Sequence, residues 1–136
     1  MSLVLDASMT IAWLFDDERT DAAHAVMLRV VAEGAIVPCL WRLEVGNVLR
    51  NAARRQRCDE AYVDLSLQRL GRLPVAVDEE TNRHAWDATR ALSRRYDLTL
   101  YDAAYLELAL RENIALATLD AELAKAASAE SVALIC

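Results

Sequence analysis

The sequence is short of the residues that make linkers, disulfide frameworks and membrane spans. Its 136 residues include only three glycines and two prolines, which argues against flexible linkers and low-complexity segments. The cysteines Cys39, Cys58 and Cys136 are odd in number and widely spaced, so neither a disulfide framework nor a thiolate metal site is indicated. No stretch approaches the roughly 20 apolar residues that span a bilayer, and no basic region precedes the first apolar run. We therefore expect one soluble, cytoplasmic domain over residues 1–136.

Positive charge is also in short supply. The chain has 15 Lys and Arg residues against 21 Asp and Glu residues, a formal net charge of −6. This balance disfavours a protein that holds nucleic acid by bulk electrostatics, because the phosphate backbone is repelled on average. It still allows a local site at which metal ions reverse the sign of the charge.

What the sequence does contain is an alternation of short apolar strands and longer amphipathic helices. The predicted strands are Leu3–Leu5, Ala35–Val37, Pro74–Val77, Ile114–Leu119 and Val132–Ile135. The predicted helices are a first one from Ser8 or Thr10 to Phe15, then Thr20–Ala32, Leu40–Arg57, Glu60–Leu70, Glu79–Tyr96, Tyr101–Glu112 and Ala121–Ala127. Strands separated by helices imply crossover connections, and hence an α/β fold with a parallel sheet covered on both faces. Ligand sites in such sheets form beyond the carboxyl ends of the strands.

Four acidic residues stand at the starts or ends of these apolar elements. Asp6 ends the first strand, and Asp120 follows the fourth. Glu44 lies about one turn into a helix, and Asp102 opens an apolar helix. Buried charges are costly without partners, and Arg42 is the one basic residue beside these acids in the sequence. Hard divalent cations can supply the counter-charge, and carboxylates without nearby His or Cys favour Mg²⁺ or Mn²⁺ over Zn²⁺.

Each polar residue also has a purely structural interpretation. Asp6 and Asp120 could cap the helices that follow them, and Asp102 could favour a helix N-terminus through the macrodipole. Glu44 has no capping role in a helix interior. The hydroxyls of Ser8 and Thr118 could contact a metal-bound water or a phosphate, or they could cap helices. The sequence leaves these alternatives open.

Four ordered motifs, LDAS, LEVGNVL, LYDAAYLELA and LATLDAEL, make the chain resemble the PIN-domain nucleases, particularly the VapC-type toxins of prokaryotic toxin–antitoxin pairs. The resemblance covers essentially the whole chain. It implies a three-layer α/β/α domain with a Mg²⁺- or Mn²⁺-dependent endoribonuclease site at the carboxyl edge of a central parallel sheet. The residues that match the family's four acidic positions are Asp6, Glu44, Asp102 and Asp120. Those that match its supporting polar positions are Ser8, Asn47 and Thr118.

The resemblance further implies a reaction and partners. A metal-activated water would hydrolyse the RNA phosphodiester bond, and the RNA 2′-hydroxyl would not be the nucleophile. A cognate VapB-type antitoxin would occlude the site, and helical faces would form a homodimer. We expect an antitoxin segment to bind an apolar helix surface, and the sequence offers two, one at Trp13, Leu14 and Phe15 and one at Val45, Val48 and Leu49.

Two other functions remain open from the residues themselves. A phosphohydrolase could use Asp6 as its nucleophile, although Ser8 stands where such enzymes generally carry a second acid. A non-catalytic protein-binding module is the other alternative. Loss of an acidic position would favour the module, but all four acids are present.

Overall fold

A computed structural model of the chain describes residues 3–135. The strands within this range are β1 (Leu3–Leu5), β2 (Ala35–Val37), β3 (Val75–Val77), β4 (Ala115–Ala117) and β5 (Leu134–Ile135). The helices are α1 (Ala7–Ala12), α2 (Asp21–Glu33), α3 (Trp41–Arg54), α4 (Glu60–Gly71), α5 (Thr81–His84), α6 (Ala88–Tyr96), α7 (Leu100–Glu112) and α8 (Ala121–Ala129). None of these helices is both long and apolar enough to cross a membrane.

The strands form one parallel sheet in the order β3-β2-β1-β4-β5. In the central strand, Val4 pairs with Ile36 on one side and with Leu116 on the other. All three residues of β1 are fully buried, as expected where helices cover both faces of a parallel sheet. The predicted three-layer α/β/α architecture is therefore confirmed. The strand order reverses between β1 and β4, and a crevice at such a switch point is where α/β proteins bind ligands.

Two predicted helix boundaries follow from local signals and are confirmed. Gly34 ends α2 with φ of 78°, a left-handed value that glycine adopts without the penalty of a Cβ atom. Asp59 begins α4, and its side chain accepts a hydrogen bond of 2.8 Å from the backbone N–H of Tyr62. Glycine is typical of the end of a helix, and aspartate is typical of the N-cap.

The predicted single helix Glu79–Tyr96 is wrong, because the structure divides it into α5 and α6. Asp87 has a non-helical backbone, with ψ of −97°. The Thr81 hydroxyl donates to Asp78, directly after β3, and accepts a hydrogen bond from the backbone N–H of Cys39. These bonds hold α5 against the sheet, whereas α6 packs along α7. We attribute the break to these two sets of contacts, because one straight helix could not make both.

Several other elements are shorter than predicted, and among them β5 begins at Leu134 instead of Val132. The first helix ends at Ala12, and α3 ends at Arg54 because the chain turns there, with Gln56 at φ of 61°. Strand β4 ends at Ala117. The residues after β4, from Thr118 to Asp120, are therefore a loop whose polar groups can turn toward the end of β1.

The apolar surfaces predicted to receive an antitoxin segment are largely core. Trp13, Leu14 and Phe15 are buried, since the chain folds back after α1 and the Trp13 indole N–H donates a hydrogen bond of 2.9 Å to the Ala23 carbonyl. In the second predicted surface, Val45 and Leu49 are buried and Val48 is partly exposed. The prediction of open grooves at these positions is wrong in this structure. The most exposed large apolar side chains are Leu43, Trp86 and Tyr101.

A buried ion network anchors the C-terminal end of α7. The Arg111 guanidinium donates hydrogen bonds of 2.7 and 3.0 Å to Asp78, and of 2.8 and 2.9 Å to Glu107. Both carboxylates are buried, and Arg111 holds the pKa of Asp78 below its ordinary value despite the opposing effect of burial. The network joins the far end of α7 to the end of β3, and Asp102 lies at the other end of the same helix.

Candidate active site

The structure brings the four predicted acids to one pocket at the switch point of the sheet. Asp6 directly follows β1, and Asp120 begins α8 in the loop after β4. Glu44 lies in the first turn of α3, and Asp102 lies in the first turn of α7. All four line a pocket of about 440 Å³, together with Ser8 and other side chains. Acids from four separate segments therefore share one opening.

Asp6 is the most buried of the four acids, with 4% of its surface exposed. Its Oδ1 accepts the backbone N–H of Met9 at 2.9 Å, so Asp6 caps α1. The Ser8 hydroxyl lies 2.8 and 2.9 Å from its two carboxylate oxygens, and the Thr118 hydroxyl donates to Oδ2. Burial raises the pKa of Asp6 above its ordinary value, although these hydrogen bonds lower it, and repulsion from Asp102 raises it further.

Ser8 and Thr118 hold Asp6 from two sides. Ser8 Oγ accepts the backbone N–H of Leu119 at 2.9 Å, and Thr118 Oγ1 accepts that of Asp120 at 3.0 Å. A hydroxyl that accepts an N–H in this way is free to direct its own hydrogen to another acceptor, which here is the Asp6 carboxylate. The prediction that Ser8 or Thr10 begins the first helix is wrong, because Asp6 supplies that cap.

Glu44 is held by a residue that the sequence did not single out. The Tyr105 hydroxyl donates a hydrogen bond of 2.6 Å to Glu44 Oε1. Burial raises the pKa of Glu44 above its ordinary value, the Tyr105 hydroxyl lowers it, and Asp102 and Asp6 add repulsion. Burial and the nearby carboxylates also raise the pKa of Tyr105 above its usual range, so the phenol stays protonated. Its position three residues after Asp102 on one helix is the signal that could have pointed to it.

The two remaining acids have different local roles. Asp120 caps α8, because its Oδ1 accepts the backbone N–H of Leu123 at 2.9 Å. Asp102 is not the cap of α7, since Thr99 accepts its backbone N–H at 3.1 Å. Burial and repulsion from Asp120 raise the pKa of Asp102, and the Thr99 hydroxyl lowers it. Capping and a place in the pocket are therefore compatible for Asp6 and Asp120.

A fifth acid, Glu18, also lines the pocket. It lies in the polar segment that follows α1. The Arg57 guanidinium donates hydrogen bonds of 2.7 Å to both Glu18 and Asp17, and it lies 3.8 Å from the centre of the Phe15 ring. Glu18 therefore has a positive partner, whereas the four predicted acids have none among the described side chains that line the pocket.

Asn47, the remaining predicted supporting residue, does not reach this pocket. It lies on the exposed side of α3, whereas Val48 and Glu44 from the same helix do line the opening. Thr118 is buried behind Asp6 and acts on the site through that carboxylate.

The chemistry of the pocket fits a cation with a preference for oxygen ligands. No Lys, Arg, His or Cys is among the described side chains that line it, and burial with mutual repulsion raises the pKa of three of its acids. Within residues 3–135, no three Asp, Glu, His or Cys side chains lie close enough together to hold a metal ion as they stand. The donor set suits a hard divalent cation, and the side chains are more widely spaced than a bound ion requires.

Sequence comparison decides the family. The PIN domain family matches residues 3–129. The chain is a PIN-domain protein. The resemblance drawn from the four motifs is thus confirmed, and the family's match includes all four acids.

Known relatives of this PIN-domain protein are ribonucleases by name. It is 33% identical over 126 residues to ribonuclease VapC3 of Mycobacterium tuberculosis, covering 91% of this chain and 86% of that protein. It is 31% identical over 125 residues to ribonuclease VapC3 of Pyrobaculum aerophilum, covering 92% of this chain and 94% of that protein.

Solved structures share the fold of this PIN-domain protein. PAE2754 from Pyrobaculum aerophilum has a TM-score of 0.72 at 25% identity, covering 99% of this chain and 84% of that one. FitAcB from Neisseria gonorrhoeae has a TM-score of 0.67 at 14% identity, covering 98% of this chain and 96% of that one. VapC20 of Mycobacterium tuberculosis is described as a toxin that cleaves the sarcin-ricin loop. It has a TM-score of 0.61 at 18% identity, covering 92% of this chain and 95% of that one. At 14% and 18% identity, the last two support the fold alone.

Proposed function

We propose that this protein is a metal-dependent endoribonuclease and the toxin of a toxin–antitoxin pair. The observation that carries the proposal is the pocket itself, where four acids from separate segments meet and no basic side chain from residues 3–135 lines the opening. The names of the VapC3 relatives support RNA as the substrate. We propose the cytoplasm as its place of action, because that is where RNA is abundant.

Asp6, Glu44, Asp102 and Asp120 are the residues that would hold Mg²⁺ or Mn²⁺. When bound, the ion supplies a water of lowered pKa and neutralises charge that develops on the phosphate. The chain's own contribution is to fix the carboxylates: Ser8 and Thr118 hold Asp6, and Tyr105 holds Glu44. Hydrolysis by water leaves a 5′-phosphate and a 3′-hydroxyl on the products, and it needs no RNA 2′-hydroxyl.

The partner we propose is a VapB-type antitoxin, with a homodimer as the assembled form of the toxin. Support comes from the VapC3 relatives and from exposed apolar side chains such as Leu43 and Trp86, since exposed apolar area suits protein contacts. Co-expression with the neighbouring gene product should yield a stable complex. Purification of a monomer that is not toxic and binds no partner would contradict this proposal.

Cleavage of RNA in the presence of defined cations tests the enzymatic function. The purified protein should cut RNA with Mg²⁺ or Mn²⁺, and EDTA or Asp102→Asn should abolish cutting. Asp97→Asn is a matched control, because Asp97 lies five residues before Asp102 and outside the pocket. Its left-handed backbone, with φ of 53°, also tolerates asparagine.

Sequencing of RNA 5′ ends after induced expression would identify the target. New 5′-phosphate ends should appear with the intact protein and with Asp97→Asn, and should be absent with Asp102→Asn. Full activity in EDTA would contradict the metal mechanism. A trapped phosphoaspartate at Asp6 would favour the phosphohydrolase alternative instead.

A further inference from the structure

Tyr105 is buried beside the acidic pocket and makes one specific polar contact there. Its side chain is 1% exposed, and its hydroxyl donates to Glu44 Oε1 at 2.6 Å. A buried phenol needs a hydrogen-bond partner, and here that partner is one of the proposed metal-binding acids. The contact thus serves the pocket directly.

Glu44 and Asp6 differ in the number of hydrogen bonds that hold their carboxylates. Asp6 accepts hydrogen bonds from Met9, Ser8 and Thr118, on two segments of the chain. Glu44 lies in the first turn of α3 and, among the described residues, accepts a hydrogen bond from Tyr105 alone. Because a glutamate has one more rotatable bond than an aspartate, Glu44 depends more strongly on a single donor for its orientation.

The same hydrogen bond couples two helices of the site. Tyr105 lies three residues after Asp102 on α7, which places both residues on neighbouring positions of one helix face. Within residues 3–135, the Tyr105–Glu44 bond is the one side-chain hydrogen bond between α3 and α7. The separation of Glu44 from Asp102 is therefore set partly by the Tyr105 hydroxyl.

We propose that Tyr105 is a positioning residue that holds Glu44 Oε1 so that the glutamate and Asp102 present their oxygens to one divalent cation. The inference rests on the proposed metal-dependent function. Partners that orient metal ligands in this way typically change metal affinity or activity by roughly 10- to 100-fold when they are removed. Tyr105 does not touch substrate in this proposal, and it acts through Glu44.

Tyr105→Phe tests the proposal, because it removes the hydroxyl and keeps the ring that fills the core. The probe is Mn²⁺ alone, titrated against the full chain and followed by electron paramagnetic resonance. We expect the Kd for Mn²⁺ to rise by about 10- to 100-fold. RNA cleavage should fall at limiting Mn²⁺ and recover at saturating Mn²⁺, and the KM for RNA should stay unchanged.

Tyr96→Phe is the matched control. Tyr96 also donates its hydroxyl to a glutamate, Glu130, on a surface away from the pocket. This variant should bind Mn²⁺ and cut RNA like the wild type. A thermal melt of each variant, recorded without metal, shows whether it is folded.

If Tyr105→Phe loses stability, a double-mutant cycle with Glu44→Gln still tests whether Tyr105 acts through Glu44. If Tyr105 acts through Glu44, removing its hydroxyl should cause little further loss of Mn²⁺ affinity in the Glu44→Gln background. Independent, additive losses would overturn the proposal. So would an unchanged Mn²⁺ affinity for Tyr105→Phe when the wild type binds Mn²⁺, and in that case the proposed nuclease function would stand. A wild-type protein that neither binds Mn²⁺ nor cuts RNA would overturn both.

Discussion

The backbone N–H of Leu119 donates a hydrogen bond of 2.9 Å to Ser8 Oγ, although the two residues are 111 positions apart in the sequence. The bond joins the loop after β4 to the first turn of α1. It also leaves the Ser8 hydrogen available for Asp6, at 2.8 Å from its Oδ1. Ser8 therefore links the segments that follow β1 and β4.

Ser8→Ala should reduce metal affinity and cleavage more strongly than it reduces stability. We expect metal affinity or cleavage to fall by roughly 10- to 100-fold, because Asp6 loses a donor. The free energy of unfolding should fall by only about 0.5 to 1.5 kcal/mol, because the exposed Leu119 N–H loses its hydrogen bond to Ser8 and can bind water instead. Cleavage assays and urea unfolding would measure the two effects.

Thr20→Ala is the control for Ser8→Ala, since Thr20 caps α2 outside the pocket by accepting the Ala23 N–H at 3.1 Å. It should lose about 1 kcal/mol of stability and keep full activity. Equal activity losses in the two variants would contradict the role given to Ser8.

Asp6→Asn should separate stability from activity. Asparagine keeps an oxygen that accepts the Met9 N–H, and it removes a buried charge that lies near other acids. Without metal, the variant should be at least as stable as the wild type in urea at neutral pH. Cleavage should fall by more than about 100-fold, beyond the loss typical of outer partners of a metal site.

Asp59→Asn is the matched control for this variant, because Asp59 is also an aspartate at a helix N-cap. It should keep both stability and cleavage. A large loss of stability in Asp6→Asn would show that the charged carboxylate supports the fold, contrary to our expectation.

Stability without metal should depend on pH through the same acids. The pKa values of Asp6, Glu44 and Asp102 are raised above the ordinary values of 3.8 and 4.5, with burial as the largest cause. Between the ordinary and the raised pKa values the folded chain binds more protons than the unfolded chain, so the free energy of unfolding falls as pH rises. The Tm of the wild type in EDTA should therefore fall as the pH rises from these ordinary values through the raised pKa values.

The double variant Asp6→Asn with Glu44→Gln should show a smaller change in Tm over this range. Asp78 and Glu130 have lowered pKa values, so the stability they contribute is lost only as the pH falls below their ordinary values of 3.8 and 4.5. They do not oppose the effect at pH values above 4.5. Identical pH profiles for the wild type and the double variant would contradict the prediction.

Arg111→Met should strongly destabilise the protein. The substitution leaves Asp78 and Glu107, both buried, without their shared positive partner. Breaking a buried ion pair from one side costs about 3 to 5 kcal/mol. Urea unfolding at neutral pH would measure the loss.

Arg29→Met is the control for Arg111→Met, because Arg29 pairs with Glu33 on the exposed surface of α2. It should change stability by no more than about 0.5 kcal/mol. Similar losses for the two arginine variants would show that burial does not distinguish the two ion pairs.

Local patterns in the sequence determined the strand and helix types, the α/β class and the position of the four acids at the edge of the sheet. Apolar runs define buried strands, and residues such as Gly34 and Asp59 act on the backbone within a few positions. The meeting of Asp6 with Asp120 also follows from sequence, because parallel strands bring their carboxyl ends to one edge.

Contacts between distant segments were decided only by the tertiary structure. The donation of the Thr118 hydroxyl to Asp6, the Tyr105–Glu44 bond and the neutralisation of Glu18 by Arg57 each join residues at least 39 positions apart. The break between α5 and α6 has the same origin, since each half is anchored to a different neighbour. A hydroxyl or carboxylate carries no local signal of a distant partner, because that partner depends on which segments the folded sheet and helices bring within about 3 Å.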